Sequence, residues 1–308
     1  MDGTRPGGGS ATGRRVVAIV GPTAAGKTAL GVELALRLGG EVVNVDSMQL
    51  YRGMDIGTAK ATPAERRGVP HHLLDVWDVT HTADVAGYQL MGREVIDRLL
   101  AEGRPPVLVG GSGLYVRALL DDLSFPGTDP MIRARLEADL AAVGPAALHA
   151  RLAERAPVAA TAILPSNGRR IVRALEVVEL TGSFTATMPD HVSSRYDVAM
   201  VGLDPPDLDE RIEARVDRMW SDGFVDEVIR LVDVGLRDGR TASRALGYAQ
   251  VLDALSGVLP SMAVARSDTM TATRRFARRQ RSWFRRDRRV TWLDRPDADR
   301  AMSVVAPP

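Results

Sequence analysis

The segment Gly21-Pro22-Thr23-Ala24-Ala25-Gly26-Lys27-Thr28 constrains this chain more than any other feature. It fits G-x-x-x-x-G-K-[ST] at every fixed position. It also stands between an apolar, β-branched run (Arg15 to Val20) and a stretch from Lys27 to Leu38 in which Leu30, Leu34 and Leu38 recur at helical spacing. A strand that turns through such a loop into a helix is an anion cradle. The glycines let successive backbone N–H groups point inward at a helix N-terminus, Lys27 adds a compact charge, and Thr28 offers a hydroxyl to Mg²⁺. A bound diphosphate or triphosphate is expected here.

The rest of the pattern extends that strand–loop–helix unit. Short apolar runs at Glu41 to Asp46, Pro106 to Val109, Tyr196 to Leu203 and Val290 to Leu293 read as strands, with a helical stretch from Ala83 to Glu102 and helices from Asp207 to about Arg286. Buried strands alternating with helices predict an α/β fold: a P-loop-type parallel sheet flanked by helices. From about Ser124 to Ser194 the pattern is helical only, with Ile132, Leu136, Leu140, Leu148, Leu152, Ile171, Leu175 and Val178 as apolar stripes, which predicts an inserted all-helical module. The expected organisation is a leader at 1–13 without periodicity, a catalytic core at 14–123 and 195–295, the helical insertion at 124–194 and a polar tail at 296–308. A chain of 308 residues exceeds what one core comfortably fills. Asp207 and Glu210 have the spacing of a capping box.

Composition removes several function classes. There is no cysteine, hence no disulfide, thiolate nucleophile or Cys-ligated metal. No apolar stretch approaches the ~20 residues that span a bilayer, and the N-terminus lacks the apolar core of a signal peptide. A cytoplasmic protein without a membrane partner is expected, a monomer by default.

Three segments point at one site. In open parallel sheets ligands collect outside the carboxyl ends of the strands, so the phosphate loop, Asp46 at the end of the second strand and Ser112 after the third should share a crevice. The residues leave two roles open for Asp46: a Mg²⁺-anchoring carboxylate, or a general base facing a second substrate. His71 and His72 are adjacent on an extended segment and face opposite sides with no third candidate ligand nearby, which argues against a metal. Trp77, Trp220 and Trp292 read as core.

Charge is more telling in its distribution than in its net value of +1. Lysine occurs only at 27 and 60, and a slim point charge kept in an arginine-rich chain suits a phosphate slot. Between Arg274 and Arg289 Asp287 is the single acid. Arg274, Arg278, Arg281 and Arg285 fall on one helix face, with Phe276, Gln280 and Trp283 on another. Arg169, Arg170 and Arg173 open a helix after Asn167, where basic residues oppose the macrodipole. The first cluster is either a solvated face that an acidic partner helix neutralises or the seat of a phosphate-rich partner, RNA or the leaving phosphate of the first site, with the single acid favouring the latter; the second predicts a bound polyanion.

These residues resemble the tRNA dimethylallyltransferases. The likeness runs from about Val16 to Leu293 and rests on GPTAAGKT (21–28), VDSMQLYRGMDIGTAK (45–60), PHHLLDV (70–76), VGGSGLYVRAL (109–119), NGRRIVRALEV (167–177), ALGYAQ (245–250) and TRRFARRQRSWFR (273–285). It implies transfer of a dimethylallyl group from dimethylallyl diphosphate to N6 of the adenosine at tRNA position 37, beside the anticodon, with Mg²⁺ as cofactor and release of diphosphate. It further implies that Asp46 is the general base, with Lys27 and Ser112 also at the reaction centre. Ser47, Met48 and Gln49 would lie beside the flipped base. Ser112, Arg133, Arg169, Arg170, Ile171, Val172 and Arg173 would meet the anticodon stem-loop. The chain departs from the family at Ser112 and Ser282, where Thr is frequent, and at Ala249-Gln250 in place of Lys-Glu, and it resembles the shorter bacterial form without a Cys/His module. The competing readings are a P-loop kinase or NTPase, which would bind and turn over ATP, and a non-catalytic RNA-binding protein, which would bind tRNA indifferently to diphosphate.

Overall fold

The computed structural model describes residues 15–185 and 194–306, so the leader expected at 1–13 lies outside the described residues. The chain forms two units: residues up to Asp121 with those from Ser194 onward, and Asp122–Ser193 between them.

The larger unit is built on six parallel strands: β1 Val16–Val20, β2 Glu41–Asn44, β3 His71–His72, β4 Pro106–Val109, β5 Val198–Leu203 and β6 Val290–Leu293, in the order β3-β2-β4-β1-β5-β6. Strand β1 is central, with Ala18 opposite Leu108 of β4 on one side and Met200 of β5 on the other. Every residue of β1 is buried, as expected of a strand covered on both faces. Side-chain alternation splits these strands between two cores. Val16, Ala18 and Val20 pack with Leu50, Tyr51, Tyr88, Ile96, Phe224 and Tyr248; Val17 and Ile19 pack with Leu30, Leu34, Ile212 and Leu293. The helices here are α1 Lys27–Leu38, α2 Pro63–Arg66, α3 Val85–Ala101, α4 Gly113–Leu120, α8 Leu208–Ser221, α9 Phe224–Asp233, α10 Tyr248–Leu255, α11 Met262–Phe284 and α12 Ala298–Val305. Helix α11 contributes Ala277 to one core and Phe284 to the other.

The smaller unit is helical: α5 Pro130–Arg155, α6 Pro157–Thr161 and α7 Gly168–Thr181. Gly144, at φ 76°, breaks α5 into two arms ahead of Pro145. Leu136, Leu148, Leu152, Ile163, Ile171 and Leu175 form its core.

Three expectations need correction. The polar tail contains α12, which Asp297 caps through the N–H groups of Asp299 and Arg300, and which buries Ala301 and Val305 one turn apart. The Asp207–Glu210 capping box is absent, because the Asp207 carboxylate accepts from Arg211 Nε at 2.8 Å instead. The second strand ends at Asn44, two residues before Asp46, since the chain turns there.

Candidate active site

Between β1 and α1 the backbone alternates in hand: Gly21 has φ 130°, Ala24 64° and Gly26 93°. A Cβ at Gly21 would collide with the carbonyl of Leu203 at the end of β5, so only glycine fits. Gly26 starts α1 without a side-chain cap, leaving the first N–H groups of the helix to an external acceptor. Thr28 sits half-buried in the first turn.

Two cations converge on this loop. Lys27 Nζ donates to the Pro22 carbonyl at 2.6 Å. Burial first, and then Arg215, push its pKa down to about 7, with Asp46 pulling the other way. Arg215, from α8, donates through Nη1 to Thr23 Oγ1 at 3.2 Å; burial depresses its pKa too, opposed by Asp46 and Glu65. Among the described residues neither cation has a carboxylate partner within ion-pair distance. Such a pair favours a negatively charged ligand.

Asp46 is fixed by its neighbours. The buried Asn44 amide accepts from Asp46 N and donates to Asp46 O and Leu73 O, each at 2.9 Å. Asp46 Oδ1 accepts from Met48 N at 3.0 Å, which leaves Oδ2 uncommitted. Ser112 reaches the same turn: its Oγ accepts from Ser47 N at 3.1 Å and lies 3.4 Å from Ser47 Oγ, while its N donates to Val45 O. This approach requires Gly110, where a Cβ would strike the Val45 carbonyl. Met48 packs on the core, and Gln49 Nε2 donates to Thr58 O at 3.1 Å. The structure therefore brings Lys27, Asp46, Ser47 and Ser112 to the carboxyl ends of β1, β2 and β4, as the strand endings predict.

Two residues at this site escape sequence reasoning. Arg215 comes from a helix nearly two hundred positions away, and Gln280 from farther still. Gln280 is 5% exposed; its Oε1 accepts from Thr23 N and its Nε2 donates to Gly111 O, both at 2.9 Å. For Arg215 no local signal exists beyond its position on the helix that follows β5. For Gln280 the signal is a lone amide on the sheet-facing side of an arginine-rich helix.

Other candidates are structural. His72 Nε2 lies 2.5 Å from Glu41 Oε2 and His71 Nδ1 2.9 Å from Val69 O. Among the described residues no group of three or more His, Asp or Glu could hold a metal. Trp77 is in the core, and Trp220 and Trp292 pack against it. Buried Lys60 donates to Asp55, Asp75 and the Tyr51 carbonyl, locking the 51–75 segment.

In the helical unit, Ile171 and Val172 are buried in the core, so their side chains cannot meet tRNA. Arg133 and Arg173 both pair with Glu176, which is 0% exposed, and Arg173 also donates to Pro126 O and Gly127 O. That internal acid answers the charge at the start of α7 without an external anion. Arg169 and Arg170 stay exposed on the first turn. On α11 the sequence-distant acids also take their share: Arg274 pairs with Glu213, and Arg281 and Arg285 with Asp204. Arg278 and Arg286 are exposed and have no acidic partner among the described residues; with Arg281, Ser282 and Arg285 they line an open groove of about 660 Å³.

Residues 49–287 match the IPP transferase family. A tRNA dimethylallyltransferase of Frankia casuarinae is 70% identical over 289 residues, 94% of this chain and 99% of that protein. One from Streptomyces coelicolor is 67% identical over 303 residues, 96% of each. The crystal structure of a tRNA isopentenylpyrophosphate transferase from Bacillus halodurans aligns at a TM-score of 0.69 and 42% identity, covering 95% of this chain and 94% of that one. The family match over residues 49–287 and the identity to relatives along nearly the whole chain agree with the site at the carboxyl ends of the inner strands: this protein belongs to the IPP transferase family.

Proposed function

We propose that this chain is a tRNA dimethylallyltransferase that transfers the dimethylallyl group of dimethylallyl diphosphate to N6 of the adenosine at tRNA position 37 and releases diphosphate. The observation that carries this reading is the pairing of two carboxylate-free cations, Lys27 and Arg215, with a carboxylate, Asp46, close enough to oppose the depression of both their pKa values. Diphosphate departure and amine deprotonation need those two charges side by side.

An exocyclic amine is a weak nucleophile. As its nitrogen bonds to C1 of the allyl group, its proton passes to Asp46 Oδ2, the oxygen not held by Met48 N. The C1–O bond breaks, and the electron pair leaves with the diphosphate. Lys27, Arg215 and the uncapped N–H groups of α1 stabilise the charge growing on that oxygen. The Thr28 hydroxyl and phosphate oxygens are the hard donors Mg²⁺ takes, and the lack of an acidic cluster among the described residues suits an ion bound mainly through its substrate. When bound there, the ion supplies Lewis-acid neutralisation of the leaving group.

Ser112 and Ser47 offer hydroxyls beside the base, which must leave its stack at a cost of a few kcal/mol. Met48 and Gln49 shape this pocket from the core side. Arg169 and Arg170 serve the anticodon stem-loop, as do Arg278 and Arg286; Arg133 and Arg173 serve it by holding the fold around Glu176. A monomer is the working unit of this reading. Among the described residues no helix is long and apolar enough to cross a membrane. In this reading the enzyme works in the cytoplasm, where its tRNA substrate is.

The test is to incubate the protein with Mg²⁺, dimethylallyl diphosphate and an unmodified anticodon stem-loop, digest the RNA and weigh the nucleosides, with Lys27→Ala alongside. The expected product is an adenosine heavier by one dimethylallyl group, absent with the variant. No mass change on an RNA that demonstrably binds would overturn the reading, and ATP turnover would move it to a kinase.

A further inference from the structure

One side chain bonds to the main chain of both the phosphate loop and the Ser112 loop. The amide of Gln280 is planar and rigid. Its acceptor holds Thr23 N, inside the phosphate loop, and its donor holds Gly111 O, the residue before Ser112, each at 2.9 Å, the first bond half-buried and the second buried. The fit is tight: a Cβ at Gly111 would run into Gln280 Nε2 and lie 3.1 Å from the carbonyl of Gly21, so the two loops meet where the amide bridges them. One helical turn on, the Trp283 indole lies against Gly113 where a Cβ would otherwise stand, and pins the far side of Ser112. Because both bonds are to backbone, Gln280 sets the separation of the loops whatever side chains they carry.

We propose that Gln280 is a positioning residue that fixes the span between the loop holding the leaving diphosphate and the loop holding the acceptor base. This rests on the function proposed above. The reacting nitrogen and carbon are delivered by different loops, and an error of about 1 Å in that span costs on the order of 100-fold in rate. Both ends of the amide are committed to Thr23 N and Gly111 O, so its influence runs through those two bonds.

The substitution Gln280→Glu discriminates. Its ionised carboxylate keeps the acceptor for Thr23 N and loses the donor for Gly111 O, whereas the protonated acid has a donor and an acceptor again. Charged groups on the elements packed around position 280 are Lys27 at the phosphate loop, Asp46 behind Ser112, Arg215 on α8 and, on its own helix, Arg281. A carboxylate at position 280 would also raise the pKa of Lys27, which lies in the same loop as Thr23, so the rate ratio is read together with hydrogen exchange at 110–113, which reports the bond to Gly111 directly.

The experiment measures single-turnover transfer to an anticodon stem-loop by the wild-type chain, Gln280→Leu and Gln280→Glu between pH 5.5 and 8.5, with hydrogen exchange followed at 21–28 and 110–113. Gln280→Leu is expected to lose roughly 10- to 100-fold at every pH, from one buried and one half-buried hydrogen bond, and to exchange faster in both loops. Gln280→Glu is expected to lose a comparable amount at pH 8.5 and to regain at least about fivefold relative to wild type as the pH falls. A Gln280→Glu ratio that is flat with pH, or a Gln280→Leu variant within about threefold of wild type, overturns the proposal. If Gln280→Leu prevents folding, the Gln280→Glu ratio, read with exchange at 110–113, still decides. If the wild type itself makes no product, the function reading has failed, and exchange in Gln280→Glu across the same pH range decides the positioning role on its own.

Discussion

The core unit and the helical unit both carry cations beneath their surfaces and handle them in opposite ways. In the helical unit Arg133 and Arg173 converge on the fully buried Glu176, whose carboxyl they hold below its usual range against the cost of burial. In the core unit Lys27 and Arg215 face each other with a carbonyl and a hydroxyl as partners, and burial depresses both. The first arrangement is satisfied and structural. The second stays short of one anion, and that shortfall is what a diphosphate relieves. A run of arginines in a sequence thus says little until its acids are counted in space.

The largest expected effects break the core side of this contrast. Lys27→Ala and Asp46→Ala should each lower the rate of transfer by about a thousandfold or more, since one removes charge stabilisation and the other the proton acceptor. Binding of the anticodon stem-loop should change little in Asp46→Ala. Single-turnover assays with a filter-binding control measure both, and near-normal turnover by Asp46→Ala would remove it as the base.

Exchanging the kind of lesion between units sharpens the comparison. Glu176→Ala takes the acid from two half-buried guanidinium groups, a loss smaller than the about 3–5 kcal/mol of breaking a fully buried pair, so hydrogen exchange across Pro130–Thr181 should accelerate while the sheet stays protected. Arg215→Met removes a cation that has no acidic partner among the described residues. It should leave the melting temperature unchanged or higher and weaken binding of inorganic diphosphate by roughly 10- to 100-fold. If both variants lost stability alike, the distinction between satisfied and unsatisfied cations would fall.

The α11 arginines lie between the two cases. Asp204 and Glu213 partly neutralise Arg281, Arg285 and Arg274, whereas Arg278 and Arg286 have no acid among the described residues. Replacing Arg278 and Arg286 by Ala should weaken stem-loop binding by about tenfold and flatten its salt dependence by roughly 0.7–0.9 per lost phosphate contact. Replacing Arg281, already spent on Asp204, should flatten it less.

What the sequence made legible follows from strand endings. Parallel sheet geometry brings the carboxyl ends of neighbouring strands together, so Lys27, Asp46 and Ser112 could be placed in one crevice from apolar runs and the residues after them. Arg215 and Gln280 could not, because they come from helices whose facing depends on long-range packing. Other errors had local causes. Arg211 stands four residues after Asp207 and takes the carboxylate that a capping box would use. Glu176 stands three residues after Arg173, a spacing that pairs charges on a helix, and counting only the cations of that segment hid it. Ala301 and Val305 already showed helical spacing in what read as a tail.

The smallest effect is the most direct probe of the unsatisfied pair. Lys27 has a pKa of about 7 in the folded protein, lowered by burial and by Arg215, against 10.5 for the free side chain. At pH 8 it is therefore mostly neutral. The folded value lies below the unfolded one, so the unfolded chain binds more protons between about pH 7 and 10.5. Stability accordingly rises with pH across that window, and the full penalty is felt below it. A diphosphate beside Lys27 reverses the balance by favouring the charged form, and the lysine takes up a proton as the anion binds. Titration calorimetry with inorganic diphosphate at pH 8, in buffers of different ionisation enthalpy, should register an uptake approaching one proton per site. That uptake should shrink toward zero by pH 6, where Lys27 is already charged, and disappear in Lys27→Met at both values. In Arg215→Met it should fall too, because without the neighbouring cation Lys27 stays charged to higher pH. Uptake that persists in Lys27→Met would assign the proton elsewhere and leave the contrast between the two units without its electrostatic basis.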